Sequence, residues 1–182
     1  MAEGLLTVTG GKLTTFRIVA LEVLKKARHI DPELPRADKD VPMFEPFDSE
    51  LVGTDALDEK ACRRLTGRYG ADALNLLQVS QPDELESIPG TTSLWAELRW
   101  AARAEGVVHL DDLLLRRVRL GLLVPNGGQE HLPRIRTICQ PELGWDNARW
   151  EQEERVYLAL WRRCYSLPDR SKIPDWQGIL QE

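Results

Sequence analysis

The chain has 182 residues, is 42% hydrophobic and 29% charged, and carries a net charge of −5, which sets it among globular chains holding one domain, or one domain and part of another. The acidic balance excludes a broad nucleic-acid surface, which needs a concentrated basic face. No run approaches the roughly 18 apolar residues of a membrane span. The most leucine-rich stretch, Leu113 to Val124, is interrupted by Arg116, Arg117 and Arg119, so any membrane contact is expected to be peripheral.

Leu5, Leu6 and Val8 form a short β-type run that meets Gly10-Gly11-Lys12 and then Leu13-Thr14-Thr15. That is the pattern of a strand-to-helix turn. The spacing predicts a helix from Thr14 to about Arg28, with Ile18, Leu21, Val23 and Leu24 on a broad apolar face. Thr14 or Thr15 is placed to cap it, and Lys25, Lys26 and Arg28 suit the dipole at its end. From Ile30 to Thr54 the pattern dissolves among Pro32, Pro35, Pro42 and Pro46, as in a segment crossing between two units. Met43, Phe44 and Phe47 could pin it to a surface.

Helices then follow one another. Ala56 to about Arg68 places Leu57, Ala61 and Leu65 at four-residue steps. Gly70 breaks the chain, and Ala71 to Val79 is a short second helix. Pro82 to Gly90 connects to a strong helix capped by Thr92 or Ser93, with Trp95, Leu98 and Ala102 on one face and Gly106 as its stop. One helix is expected over Leu110 to Leu123. After the turn cluster Pro125-Asn126-Gly127-Gly128 another runs around Glu130 to Gln140. Asp146 caps the last and longest, to about Tyr165, with Arg162 and Arg163 at its C-terminal end. The tail beyond Leu167 is polar and proline-marked. The fold class is mainly α: a compact, bundle-like helical domain preceded by a short strand–turn–helix. The predicted divisions are 1–28, 29–54 and 55–182.

Cys62, Cys139 and Cys164 are too far apart for a C-x-x-C site and are expected to be reduced, mostly packed thiols. His29, His109 and His131 show no metal-ligand spacing. Trp95, Trp100, Trp145, Trp150 and Trp161 are expected in the core or at an interface rather than around a ligand. Arg116, Arg117 and Arg119 are expected to pair with acidic neighbours such as Asp111, Asp112 and Glu105.

The glycine-lysine turn is the strongest chemical signal. It is no P-loop, because Gly11-Lys12 is followed by Leu13 where that motif needs Ser or Thr, and Leu6 stands where it needs its first glycine. It is no G-x-G-x-x-G, because the next glycine after Gly11 is Gly53. Two residues without Cβ let the backbone come close to a partner. Helix-start amides and one flexible cation then stand beside an electron-rich group. The same spacing also suits a tight turn with a solvated lysine.

G-L-L-T-V-T-G-G-K-L-T-T-F-R, Gly4 to Arg17, closely resembles the last flavin-contacting segment of FAD-dependent glycerol-3-phosphate dehydrogenases. Arg63 to Leu74, with its R-Y-G, and Glu97 to Gly121, with its acidic helix, Asp, Leu and Arg-Arg block, resemble the C-terminal helical domain of the same family. The resemblance covers residues 4 to about 165. Val118 stands where the family often has Thr, and Val41 to Leu51 lacks the common Pro-Gly-Gly.

That resemblance implies several things at once. Residues 1–28 would be a remnant of an FAD-binding domain and the chain a fragment whose N-terminal FAD and substrate domains are missing. Gly10 and Gly11 would admit the cofactor, and the amides of Lys12, Leu13 and Thr14, with the Lys12 ammonium, would stabilise negative charge on it. A unit charge at about 4 Å contributes roughly 4 kcal/mol at an effective dielectric near 20. Thr15 and Arg17 rank below these residues, and Arg17 would pair with a carboxylate of the missing sheet. The parent would oxidise glycerol 3-phosphate to dihydroxyacetone phosphate and pass electrons through FAD to a quinone. It would be cytoplasmic, peripheral on the cytoplasmic face of the inner membrane, with the helical domain serving homo-oligomer contacts or membrane docking. No catalytic residue and no metal is assigned to this chain, which alone is expected to hold no FAD and to be inactive. The absence of a D-x-[DN]-x-[DN]-G loop favours a bacterial form over the mitochondrial one. The alternative reading is an autonomous helical interaction module without redox activity.

Overall fold

The computed structural model describes residues 4–42 and 56–175, and the chain divides into two compact units, Met1–Pro46 and Phe47–Glu182. In the first unit a single 3-10 turn, Leu13–Thr15, leads into helix α1, Phe16–Ala27. The expected strand over Leu5–Val8 is not present: residues 5–12 carry no ladder, and no strand occurs among the described residues. A strand exists only by pairing its backbone groups with a neighbour, and the described residues of this unit supply none. The segment after α1 is held instead by Arg17, whose Nη2 donates to Lys39 O at 3.1 Å and to Val41 O. The pinning expected of Met43, Phe44 and Phe47 lies outside the described residues.

The second unit is helical throughout its described length. Helix α2, Glu59–Tyr69, starts later than Ala56, because Asp58 is the cap: its carboxylate accepts from Ala61 N at 2.7 Å. Gly70 ends it, and α3, Asp72–Val79, doubles back into a hairpin. A 3-10 turn, Pro82–Leu85, follows. Helix α4, Trp95–Ala104, is capped neither by Thr92 nor by Ser93; its N-cap is Leu94, whose N donates to Glu97 Oε1 at 2.7 Å. Residues of α4 are buried on both sides. Trp95, Leu98, Ala101 and Ala102 join the main core, while Ala96 joins a smaller one with Leu65, Ala73, Leu76 and Leu94.

The single helix expected over Leu110–Leu123 is instead two pieces. Asp112–Arg117 is a π turn, closed by Val118 N donating to Leu113 O at 3.0 Å. Arg119 then takes a left-handed conformation, φ 63°, before α5, Leu120–Leu123. The cause is the apolar pattern: Leu113, Leu114, Leu115, Val118 and Leu120 are all buried, a wider set than one straight helical face can turn inward.

The turn cluster becomes a 3-10 stretch, Pro125–His131, with left-handed Asn126, Gly127 and Gly128. Helices α6, Leu132–Leu143, and α7, Asn147–Cys164, complete the unit, and α7 begins at Asp146 as expected, with Asp146 Oδ1 accepting from Arg149 N at 2.7 Å. From α7 two side chains reach carbonyls of the preceding turns. Tyr157 Oη donates to Gly127 O at 2.6 Å and Trp161 Nε1 to Gly121 O at 2.8 Å. Both glycines sit under these rings, where a Cβ on Gly121 would lie 2.2 Å from Tyr157 Oη and one on Gly127 2.8 Å from the Trp161 ring. No described helix is long and apolar enough to cross a membrane.

Candidate functional site

Gly10 and Gly11 have φ of 78° and 119°, which L side chains rarely adopt, and a Cβ on either would meet nothing within 4 Å. The glycines are therefore required by backbone conformation and leave an open approach from outside. Lys12 follows in extended conformation with an exposed side chain. The Thr15 hydroxyl closes the turn: its Oγ1 donates to Lys12 O at 3.1 Å and accepts from Lys12 N at 3.4 Å. That leaves the amides of Leu13 and Thr14 among the opening N–H groups of a helix, which have no intrahelical acceptor. Helix-start amides and one cation with nothing packed on them can stabilise an anion or an electron-rich ring.

Beside them an open depression is lined by Val8, Gly10, Gly11, Lys12, Phe16, Val19, Ala20, Val23 and Leu24. No residue of α1 is buried. Leu13 is 88% exposed, Ile18 62% and Phe16 49%. The apolar side of this amphipathic helix is thus left largely uncovered among the described residues. All five residues singled out by sequence, Gly10, Gly11, Lys12, Leu13 and Thr14, thus lie on one continuous exposed turn.

The second unit holds what the sequence reading missed: two carboxylates buried among arginines, a third half-buried beside them, and a buried fourth beside a histidine. Glu97 has no exposed surface. Arg64 binds it with two bonds, Nη2 to Oε1 at 2.6 Å and Nη1 to Oε2 at 3.1 Å, Tyr69 Oη donates to Oε2 at 2.9 Å, and Arg68 Nη1 stands 3.7 Å away. Burial and the Glu97 charge push the Tyr69 hydroxyl far above its ordinary pKa. Glu84 takes two bonds from Arg99, at 2.6 and 2.7 Å, and Arg99 also reaches Glu142, which binds Arg103 at 2.7 Å. Glu153 accepts from Leu110 N at 3.1 Å, pairs with Arg149 at 2.9 Å and lies 3.1 Å from His109 Nδ1.

Every one of these carboxylates is matched by arginine, and all but Glu142 also by a backbone amide, which is the arrangement of a structural ion pair. The two motif blocks that carry the family resemblance meet here, Arg64, Arg68 and Tyr69 from the first on Glu97 of the second. They mark a buried junction of the fold. No group of acidic, His or Cys residues among those described could hold a metal ion.

The arginine expectation holds for Arg116, which binds Asp111 at 2.5 Å and Asp112 at 2.8 Å. Asp112 also accepts from the amides of Val108 and His109; burial would raise its pKa, but these bonds hold it below the usual range. Trp95 and Trp150 are core residues, Trp145 and Trp161 pack against the same core, and Trp100 against the smaller one. All three cysteines are free thiols, and they are mostly packed as expected: Cys139 is buried and Cys62 half-buried, with Cys164 exposed.

Glu105 is the strained member of the acidic set. Burial raises its carboxyl above the ordinary range, more than Arg117 and Arg68 lower it. A raised folded pKa contributes stability that is full below about pH 4 and lost as pH rises through the folded value. Glu105→Gln is therefore expected to raise the urea midpoint at pH 7 and leave it unchanged near pH 4. An equal change at both pH values would show that the carboxylate charge is not the cause.

The profile of the C-terminal domain of alpha-glycerophosphate oxidase matches residues 25–150. The turn at Gly10–Thr14 lies outside that match. Glycerol-3-phosphate dehydrogenase 2 of Mycobacterium tuberculosis is 30% identical over 171 residues, covering 87% of this chain and 29% of the relative. Glycerol-3-phosphate dehydrogenase of Mycobacterium leprae is 30% identical over 173 residues, 86% of this chain and 29% of the relative. A mitochondrial glycerol-3-phosphate dehydrogenase of Arabidopsis thaliana is 27% identical over 176 residues, 82% and 28%. The chain thus spans under a third of the length of the relatives it matches, which are bacterial and eukaryotic. No solved structure matches.

Proposed function

The chain belongs to the family of the C-terminal domain of alpha-glycerophosphate oxidase, and from that premise we propose that it supplies the flavin-contacting turn and the helical cap of an FAD-dependent glycerol-3-phosphate dehydrogenase. The observation that carries this reading is the open glycine-lysine turn in a chain whose relatives are named glycerol-3-phosphate dehydrogenase.

The residues present fit the cofactor. Positive φ at Gly10 and Gly11 turns the backbone outward with no side chain in the way, and the Leu13 and Thr14 amides and the Lys12 ammonium provide donors without an acceptor of their own. FAD supplies the ring that accepts the hydride from glycerol 3-phosphate. The Lys12 ammonium and the Leu13 and Thr14 amides would hold the flavin and stabilise negative charge on it. The base for the substrate hydroxyl and the groups that hold its phosphate belong to the part of the relatives' length beyond this chain. A quinone takes the electrons, and the protein works on the cytoplasmic face of the inner membrane as a peripheral protein, with the cap available for contacts between copies. The chain by itself binds no FAD and turns over no substrate.

The test is made in the full-length protein that carries this segment. Lys12→Met is expected to lower the flavin midpoint potential by tens of millivolts and kcat by about 10- to 100-fold, with FAD content unchanged. Gly11→Val is expected to abolish FAD binding, because φ of 119° and the open approach are both lost. Unchanged potential and turnover in Lys12→Met would remove the turn from the flavin site. The second unit has buried cores of its own, so that outcome would favour the helical interaction module instead.

A further inference from the structure

The second unit contains two apolar cores that share only α4. The larger is built from α4 to α7 and the turns between them. The smaller joins the α2–α3 hairpin, through Leu65, Ala73 and Leu76, to Leu94 and Ala96 at the start of α4. Polar contacts repeat the division. From the hairpin, Arg64, Arg68 and Tyr69 reach across to the rest of the unit, and all three end on Glu97. Arg68 alone also reaches a second point, donating to Arg117 O.

The hairpin's downstream limit is equally sharp. Ser80 and Gln81 are extended, with ψ of 148° and 155°. Immediately after them Glu84 is fixed to α4 by its two bonds from Arg99. Ser80 is bonded back to α3, its N to Leu77 O at 3.3 Å and its Oγ to Leu76 O at 2.6 Å, and Gln81 is bonded forward to Glu84, its N to Oε2 at 3.1 Å, so the chain can turn at the link between these two residues and is anchored on the far side of it.

We propose that α2 and α3 form a flap that opens as one body about Ser80–Gln81, with the Glu97 carboxylate as its latch. A small separate core gives the flap a lower opening free energy than the main core, as expected of a locally cooperative unit. A single buried acceptor decides whether it is held, because Arg64 and Tyr69 lose their partner together if the carboxylate is neutralised. The flap is the first described element of its unit in chain order, directly after the stretch that leads from the first unit. This device stands whether or not the flavin reading does.

Amide hydrogen exchange on the whole chain tests it. In the unaltered chain, α2 and α3 are expected to exchange through one common opening that leaves α4, α6 and α7 protected. Glu97→Gln keeps an oxygen for Leu94 N, so α4 retains its cap, but it replaces the charge and turns a donor toward Arg64 and Tyr69. Exchange of α2 and α3 should rise about 100-fold, the factor that loss of charge-assisted bonds implies, with α6 and α7 unchanged. Arg64→Gln touches the latch from the flap's side alone and should give the same pattern at about 10-fold; it serves where Glu97→Gln does not fold. Equal acceleration in all helices would show one cooperative unit and overturn the flap. Unchanged exchange in α2 and α3 in both variants would overturn the latch.

Discussion

Gly121→Ala is expected to destabilise the chain by about 3 kcal/mol, combining an overpacking cost of about 1–3 kcal/mol with damage to a buried hydrogen bond of about 1 kcal/mol. The new methyl would fall 2.2 Å from Tyr157 Oη, 3.0 Å from Leu115 Cδ2 and 3.3 Å from Leu114 O. Tyr157 cannot simply swing aside, because it is buried and its hydroxyl donates to Gly127 O. Burial also holds that hydroxyl well above its ordinary pKa, so it stays a donor at every working pH. Tyr157→Phe alone should cost about 1–3 kcal/mol by leaving Gly127 O without its partner. In the double variant the clashing oxygen is gone, so the two losses should sum to about 1 kcal/mol less than additivity requires. Urea unfolding of the four proteins measures it. Strict additivity would mean that the ring and Gly121 do not press on each other.

Arg99→Met should cost about 3–5 kcal/mol near pH 7, the range for breaking a buried ion pair from one side. One guanidinium serves two carboxylates, Glu84 and Glu142, both nearly buried. Removing it strands two charges and not one. The dependence on pH has a fixed sign. Burial works to raise the Glu142 carboxyl, but the bonds from Arg103 and Arg99 outweigh it and hold it below the ordinary value. Its contribution is therefore complete above the ordinary carboxylate pKa, about 4.3, and is lost as pH falls through the lower folded value. The gap between Arg99→Met and the unaltered chain should narrow toward pH 3. A gap that stays constant would assign the loss to packing of the arginine stem and not to the stranded charges.

Where the sequence could be read correctly, the cause was local. Helix α7 was legible because Asp146 caps it and cations sit at its end. One apolar face of α4 was legible because Trp95, Leu98 and Ala102 recur at helical spacing. The start of α2 was misplaced because several acidic residues precede it and only geometry distinguishes Asp58 as the cap. The break at Arg119 carries no Gly or Pro to announce it. The strand over Leu5–Val8 failed for a different reason: its pattern is real, but pairing is a property of two segments and the described residues contain one.

The same limit applies to the sites. Gly10 to Thr14 could be found because five adjacent residues form the turn. The Glu97 cluster could not, since Arg64 lies 33 residues away and a glutamate on a helix ordinarily reads as solvated. The signal that was available lay in the arginine-rich R-R-L-T-G-R-Y and the E-L-R-W stretches, whose charges answer each other only once α2 is laid on α4.

The wide turn at Asp112–Arg117 also constrains how this chain can change length. Closing on Val118 N to Leu113 O, it holds one residue more per turn than an α-helix. Losing a single residue there would let the backbone relax into regular helix with the residues beyond it still facing as they do, so Leu120 would stay in the core and the carbonyl of Gly121 would stay against Trp161. This stretch is thus the place where the chain can give up one residue at least cost: a deletion on its outer side, at Arg116 or Arg117, should be tolerated, while the same deletion inside α7 should rotate the residues after it by about 100° and disengage them from the rest of the unit.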